Sequence, residues 1–216
     1  MSNDDIVGRV ADHARKTLDG EGSGHDWWHT YRVWRLAKRI AEAEGADRFV
    51  VALAALLHDI DDWKLSGDAL SGARAARAFL EGIGGVESET IERVCDIISK
   101  MSFKGALVEV PELSMEGKCV QDADRLDAIG AIGIARVFTY GGSRKRPIFD
   151  PKTKPKMHSS PDEYLKGGGS SVDHFYEKLL LLKDRMNTKT GKRLALVRHQ
   201  FMERFLEEFM GEWNDS

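Results

Sequence analysis

The chain has 216 residues, 42% of them hydrophobic and 31% charged, with a net charge of −3. That length fits one ordinary domain with a real core, and charges spread along a mildly acidic sequence argue against a dedicated duplex-DNA or polybasic membrane binder. Its cysteines, Cys95 and Cys119, lack close spacing or nearby histidine partners, so no disulfide framework or zinc knuckle is expected and both read as reduced packing residues.

Helical periodicity dominates and no alternating strand pair flanks a hairpin turn, so the expected fold class is all-α. The opening Met1-Ser2-Asn3-Asp4-Asp5 is acidic and polar rather than basic and then apolar, and no apolar stretch reaches membrane-spanning length. A cytoplasmic location is therefore expected, with no membrane partner. A first helix is predicted over residues 4–18, ended by Gly20-Glu21-Gly22-Ser23-Gly24. The second begins near His25-Asp26, carries Val33, Leu36, Ala37 and Ile40 as its apolar stripe and ends at Gly45. Asp47 caps a third, whose run Val50-Val51-Ala52-Leu53-Ala54-Ala55-Leu56-Leu57 ends at His58-Asp59. Further helices are predicted over residues 70–82, 87–100, 115–125 and 128–140, with Ile91, Val94, Ile97 and Ile98 of the second of these facing inward.

From residue 141 to 169 the pattern fails, and glycines, prolines and the basic residues Arg144, Lys145, Arg146, Lys152, Lys154 and Lys156 make a long basic loop. Loops of that length inside compact domains are functional or disordered. A lid that closes over a polyphosphate and a mobile connection are both open readings. Two helices close the chain, over residues 172–185 and 188–213, with Phe175-Leu179-Leu182 and Leu194-Val197-Phe201-Phe205-Phe209 expected in the core. Trp27, Trp28 and Trp34 suit a pocket, a core or an interface, and oligomeric state is not legible.

The chemistry concentrates at His58-Asp59. An adjacent imidazole and carboxylate ending so apolar a helix are costly to bury uncompensated, and a divalent metal ion offsets that cost. His29 lies on the second helix and Asp124 in the polar cluster Asp122-Ala123-Asp124-Arg125 of a later one. Two histidines and two aspartates from three helices could converge inside a bundle. Mixed nitrogen and oxygen donors suit Mn, Fe, Co, Ni or Zn, unlike the all-oxygen sites of Mg or Ca. A metal of that kind with open positions acidifies water and polarises a phosphoryl oxygen, which points to hydrolysis of a phosphoester or phosphoanhydride.

The ordered set His29, His58-Asp59, Asp124 resembles the HD-domain metal-dependent phosphohydrolase superfamily, whose signature is a histidine, an adjacent His-Asp and a distant Asp. Around it, Gly24-His25-Asp26-Trp27-Trp28-His29-Thr30-Tyr31-Arg32-Val33, Leu56-Leu57-His58-Asp59-Ile60-Asp61-Asp62, Ile97-Ile98-Ser99-Lys100-Met101-Ser102-Phe103-Lys104-Gly105 and Gln121-Asp122-Ala123-Asp124-Arg125-Leu126-Asp127-Ala128-Ile129-Gly130 resemble a bacterial subgroup. Its members are small single-domain HD proteins, some of which hydrolyse nucleoside triphosphates to monophosphate and pyrophosphate. The resemblance continues through Tyr140-Gly141-Gly142-Ser143-Arg144 and His174-Phe175-Tyr176-Glu177-Lys178-Leu179-Leu180. It implies an HD-domain helical bundle as a single domain over residues 1–216, with a metal core at about 25–140, the basic loop at about 141–169 and C-terminal helices at about 172–213.

The same resemblance implies His29, His58, Asp59 and Asp124 as ligands of one divalent transition metal ion: Mn, Ni, Co, Fe or Zn. No histidine lies between Asp59 and Asp124, where the two-metal branches of the superfamily place additional ones, so one metal is expected. Related nucleotidases carry a general base or water-orienting acid at the position of Asp62. Asp61 competes for that role, and solvation of the helix end is the plain alternative. His25 competes with His29 for the first ligand place, although the spacing to Arg32-Val33 favours His29.

Arg32, one turn after His29, could fork onto a phosphate or pair with Asp26 or Asp62. Lys64, Lys100, Lys104 and Arg125 lie near motif segments as further phosphate-binding candidates, each also readable as a solvated charge. Asp127 could orient a ligand, meet a ribose hydroxyl or cap the following helix. His13, His158 and His199 have no motif company and read as surface or packing residues, and His174 has no assigned mechanism. The expected function is a metal-dependent phosphohydrolase acting on a small-molecule nucleotide, most concretely a nucleoside triphosphate pyrophosphohydrolase preferring deoxynucleotides. A nucleoside 5'-monophosphatase is the alternative enzyme, and a nucleotide-binding sensor with a structural metal is the alternative of another class.

Overall fold

The computed structural model describes residues 1–20, 26–61, 70–101, 111–157 and 169–215, and every regular element among them is a helix. They fall into two compact units, one within Met1–Phe103 and Glu109–Asp124, the other within Lys104–Val108 and Arg125–Ser216. The all-α expectation holds. No helix among the described residues is long and apolar enough to cross a membrane.

In the first unit, α1 (Asn3–Thr17) starts a residue earlier than predicted because Ser2 and Asp5 cap it reciprocally. The Asp5 N–H donates to Ser2 Oγ at 3.2 Å and the Ser2 N–H donates to Asp5 Oδ2 at 2.9 Å. Helix α2 (Trp27–Glu44) follows the N-cap Asp26 and ends where Gly45 turns left-handed at φ +72°. Helix α3 (Arg48–Leu57) is capped by Asp47, whose Oδ1 accepts from the Phe49 and Val50 N–H groups at 3.0 and 3.3 Å.

All of residues 50–57 are buried, none more than 5% exposed. A helix apolar on every side must be surrounded. Helices α1, α2 and α5 (Ser88–Lys100) pack against it, and α4 (Ser71–Ile83) packs on α5. Each large aliphatic side chain buried there contributes roughly 1.5–3 kcal/mol, so this central helix is a rigid support for whatever follows its last turn.

Helix α6 (Met115–Asp127) is tied to that support by polar contacts. Glu116 accepts from the Asp47 N–H at 3.2 Å, and Arg93 reaches both Asp47 (3.1 Å) and Glu116 (3.3 Å). Deeper in, Gln121 Nε2 donates to the Met101 carbonyl at 3.0 Å. Cys95 and Cys119 are free and buried, as the sequence implied, and burial pushes both thiols up, Cys119 to about 12.

The second unit departs from expectation at four places. Helix α7 (Gly130–Ser143) runs three residues past the predicted 140. Beyond it, residues 144–157 are strapped down. The Ser171 and Val172 N–H groups donate to the Pro147 and Ile148 carbonyls at 2.9 and 3.0 Å. Buried Asp173 accepts from Thr153 Oγ1 at 2.6 Å, and buried Glu177 accepts from the Lys156 N–H at 3.0 Å.

The predicted helix over 172–185 breaks into α8 (Asp173–Glu177) and the 3-10 helix Leu179–Arg185, with Lys178 between them at φ −142°. Three residues per turn stacks positions i and i+3. That spacing is what buries both Leu179 and Leu182 while Leu180 and Leu181 stay half-buried.

Helix α9 (Lys189–Asn214) is capped by Thr188, whose Oγ1 accepts from the Gly191 N–H at 2.9 Å. Its buried line is Gly191, Ala195, His199, Met202 and Leu206. The predicted stripe is therefore wrong at Val197 and Phe201, which are 66% and 44% exposed. Phe205 and Phe209 are half-buried and join an aromatic ladder with Phe138, Phe149, Phe175 and Trp213.

Candidate metal centre

Three short segments of the first unit bring four side chains together. His29 lies in the first turn of α2, held there by Asp26, whose Oδ1 accepts from the His29 N–H at 2.9 Å. His58 and Asp59 leave the C-terminal end of α3, and Asp124 sits on α6. His29 Nε2 lies 3.2 Å from Asp59 Oδ2 and 3.5 Å from Asp124 Oδ1. His58 Nε2 lies 3.4 and 4.0 Å from the same two oxygens. The two imidazole planes are steeply inclined, at 65°, with ring centres 5.4 Å apart.

Burial grades outward across the cluster. The His29 and His58 side chains are 0% and 3% exposed, Asp59 15% and Asp124 33%, so the carboxylates form the side open to water. His58 Nδ1 lies 2.8 Å from the Ala55 carbonyl. A carbonyl only accepts, so Nδ1 carries the proton and Nε2 presents a lone pair to the cluster. That buried Nε2 has no hydrogen-bond partner among the described residues.

The donor set fits a metal ion. Donor atoms of His29, His58 and Asp59 all lie within 4.8 Å of one another. Ligands about 2.1 Å from a common ion lie roughly 3.0–3.4 Å apart, which the shorter separations here match. Neutral nitrogens with anionic oxygens suit a divalent transition ion. Beyond Asp59, the Asp61 carbonyl would lie 3.0 Å from a Cβ placed on Gly72, tighter than ordinary contact, so a side chain at residue 72 would press on the backbone that follows the His-Asp pair.

The other predicted residues are less gathered. Arg32 is half-buried one turn after His29. Lys100 is ion-paired along α5 to Asp96, with Nζ–Oδ1 2.6 Å, and half exposed. Arg125 is buried in the second unit and donates to the Arg185 carbonyl. Asp127 is buried there too, and its Oδ2 accepts from Arg136 at 2.9 Å. It does not cap α7, whose N-cap is Ile129. Asp62, Lys64, Lys104, His25 and His158 lie outside the described residues. His13 stacks on Phe79 at 3.8 Å, and His199 pairs with Glu203 at 3.2 Å.

Two supports of the cluster lie beside the donors, and sequence reasoning reached the first, Asp26, as a residue at the edge of the site, but not the second. Asp26 orients His29 as an N-cap, legible as an aspartate just before a helical run. The Ala55 carbonyl fixes the His58 tautomer, and no side-chain pattern could have signalled a backbone acceptor.

Comparison with known proteins agrees with this geometry. The HD domain family matches residues 27–129. The Bacillus subtilis protein YpgQ is 45% identical over 193 residues, covering 88% of this chain and 85% of YpgQ. Its crystal structure in complex with ADP superposes with a TM-score of 0.75 and 36% identity over 98% of this chain and 97% of that one. A Lactobacillus plantarum structure superposes at 0.86 with 38% identity, and an HD-superfamily hydrolase from Bacillus thuringiensis at 0.77 with 41%, each over 100% of both chains. With its histidine and aspartate donors gathered at the end of α3, the chain belongs to the HD-domain phosphohydrolase superfamily and is a metal-dependent hydrolase.

Proposed function

We propose that this hydrolase acts on nucleotides, and most concretely that it converts (deoxy)nucleoside triphosphates to monophosphate and pyrophosphate. The observation that carries a nucleotide substrate is the ADP bound to YpgQ, a relative matching nearly the whole chain. Support for a single ion comes from the compactness of the cluster: donors of His29, His58 and Asp59 lie within 4.8 Å of one another, and Asp124 Oδ1 lies 3.5 and 4.0 Å from the two imidazoles.

In this reading His29, His58, Asp59 and Asp124 hold one ion of Mn, Ni, Co, Fe or Zn. When bound, such an ion polarises a phosphoryl oxygen and acidifies water. The buried imidazoles supply neutral donors, and the more exposed Asp59 and Asp124 face the side from which a phosphate enters. Asp62, three residues after Asp59, accepts the proton released as water attacks phosphorus. Arg32, half-buried and one turn from His29 on the same helix, is the basic residue this reading assigns to the phosphate.

The test is a panel of nucleoside mono-, di- and triphosphates and simple phosphate esters, each with Mn, Ni, Co, Zn or Mg, reading orthophosphate and pyrophosphate separately. Pyrophosphate from triphosphates is the expected product. Orthophosphate from monophosphates alone would replace this reading with a monophosphatase, and no turnover of any nucleotide would overturn it.

A further inference from the structure

Helix α9 is charged against its own dipole. Its 26 residues span about 39 Å. Residues 189–201 contain no acid and expose Lys189, Lys192 and Arg193. Residues 202–214 carry Glu203, Glu207, Glu208 and Glu212 against a single base, Arg204. A helix favours acids at its N-terminal end and bases at its C-terminal end, and neither terminal turn here has them. The polarity is reversed along the whole element, at a cost to an isolated helix.

The same exposed side carries apolar surface at its middle. Leu196 is 48% exposed, Val197 66% and Phe201 44%, bracketed by the basic and acidic ends. Singly exposed apolar residues need no explanation, but three on adjoining turns form a patch.

We propose that α9 is the interface through which two copies of this chain pair, antiparallel, about a two-fold axis near Gln200. The axis is set by the charges. Arg193 and Glu207 lie equally far from Gln200 on either side, as do Lys192 and Glu208. Antiparallel pairing therefore sets each copy's basic start against the other's acidic end, and brings Phe201 of each copy close to the axis. An isologous contact of this kind is self-complementary by construction. It also offsets the reversed dipole, since each N-terminal end gains the acids it lacks from the other copy. Gln200 meets its own symmetry mate, and an amide is both donor and acceptor. Arg204, the base in the acidic half, lies opposite Leu196, over which its aliphatic stem can pack. A polyanion does not suit a surface whose charge changes sign midway.

The test is sedimentation equilibrium on the full chain across the micromolar range, with far-ultraviolet circular dichroism as a check on folding. The native chain should form a reversible dimer that weakens as salt screens its rim. K192E/R193E and E207K/E208K should each weaken dimerisation at least tenfold when alone, because each makes both ends like-charged. Mixed in equal amounts, the two variants should recover a heterodimer, since acid then faces base at both ends. A native chain that stays monomeric, a dimer indifferent to both reversals, or a mixture that remains monomeric would each overturn the proposal.

Discussion

His58 Nδ1 and the Ala55 carbonyl, 2.8 Å apart within the last turn of α3, decide which face of the imidazole meets the carboxylates. With the proton held on Nδ1, a buried basic Nε2 faces two anionic oxygens, an arrangement that a bound cation stabilises. His58→Ala should therefore lower activity at least about 100-fold while circular dichroism stays native, since α3 itself is untouched. Saturating Mn or Ni at about 100 times Kd should stabilise the native chain by about 2.7 kcal/mol, equivalent to roughly 5–10 °C in Tm. The variant should show no such shift. A metal-dependent Tm rise surviving in His58→Ala would remove this residue from the ligand set.

Asp173 anchors the second unit's basic strap through Thr153, beside the backbone bonds to Pro147 and Ile148 and the Glu177 contact. Its Oδ2 accepts from the Ser170 N–H (2.7 Å), Ser170 Oγ (2.9 Å) and Thr153 Oγ1 (2.6 Å) while buried. Hydrogen bonds to a charged group contribute about 1.5–3 kcal/mol each and are not additive. Asp173→Ala should cost about 2–4 kcal/mol in urea unfolding, and trypsin should cut sooner after Lys152 and Lys156. Unchanged cleavage kinetics would mean that the Ser171 and Val172 backbone bonds hold the strap unaided.

The parts of this molecule that were legible were those written in period or in caps. Residues 50–57 announce a buried helix because they are apolar on every face, and Asp47 and Thr188 mark helix starts by their side-chain oxygens. The donor cluster was legible because residue type and order were enough, whereas the Ala55 acceptor is backbone and leaves no trace. The misread elements share one cause: a leucine- or phenylalanine-rich run fits several helical phases. Leu179 through Leu182 read as α-helix, but burying Leu179 and Leu182 together selected a 3-10 turn. In α9 the small or polar Gly191, Ala195 and His199 took the inner line and left Val197 and Phe201 outside, because close packing there depends on size rather than hydrophobicity alone.

His13 gives an acid-side prediction. It stacks on Phe79, interplanar angle 9°, and its burial lowers the ring's pKa below the usual 6.5, with Lys16 adding to the effect. A histidine depressed in the folded state binds fewer protons there than when unfolded, so stability falls as pH drops through the unfolded value. His13→Phe keeps the stack and removes the proton site. Between about pH 7 and 5 its urea midpoint should decline less than that of the native chain. Parallel declines would show that other groups govern acid stability.

Cys119 gives the alkaline counterpart. Its thiol is fully buried, and burial is the largest cause of its rise from 9.0 to about 12, reinforced by Asp122, Glu44 and Glu116. Between those values the unfolded thiol has lost its proton and the folded one has kept it, so folding stability falls as pH rises, by about 1.4 kcal/mol per unit for this group. Cys119→Ala removes that slope but leaves a small cavity, costing about 1 kcal/mol at neutral pH. The stability difference between native chain and variant should therefore narrow as pH rises above 9.0. The same burial makes the native thiol inert, so a thiol-disulfide reagent at neutral pH should modify Cys119 only at the rate of unfolding. Rapid modification of Cys119 in the native chain would show that α6 opens locally, and the alkaline slope should then be smaller than stated.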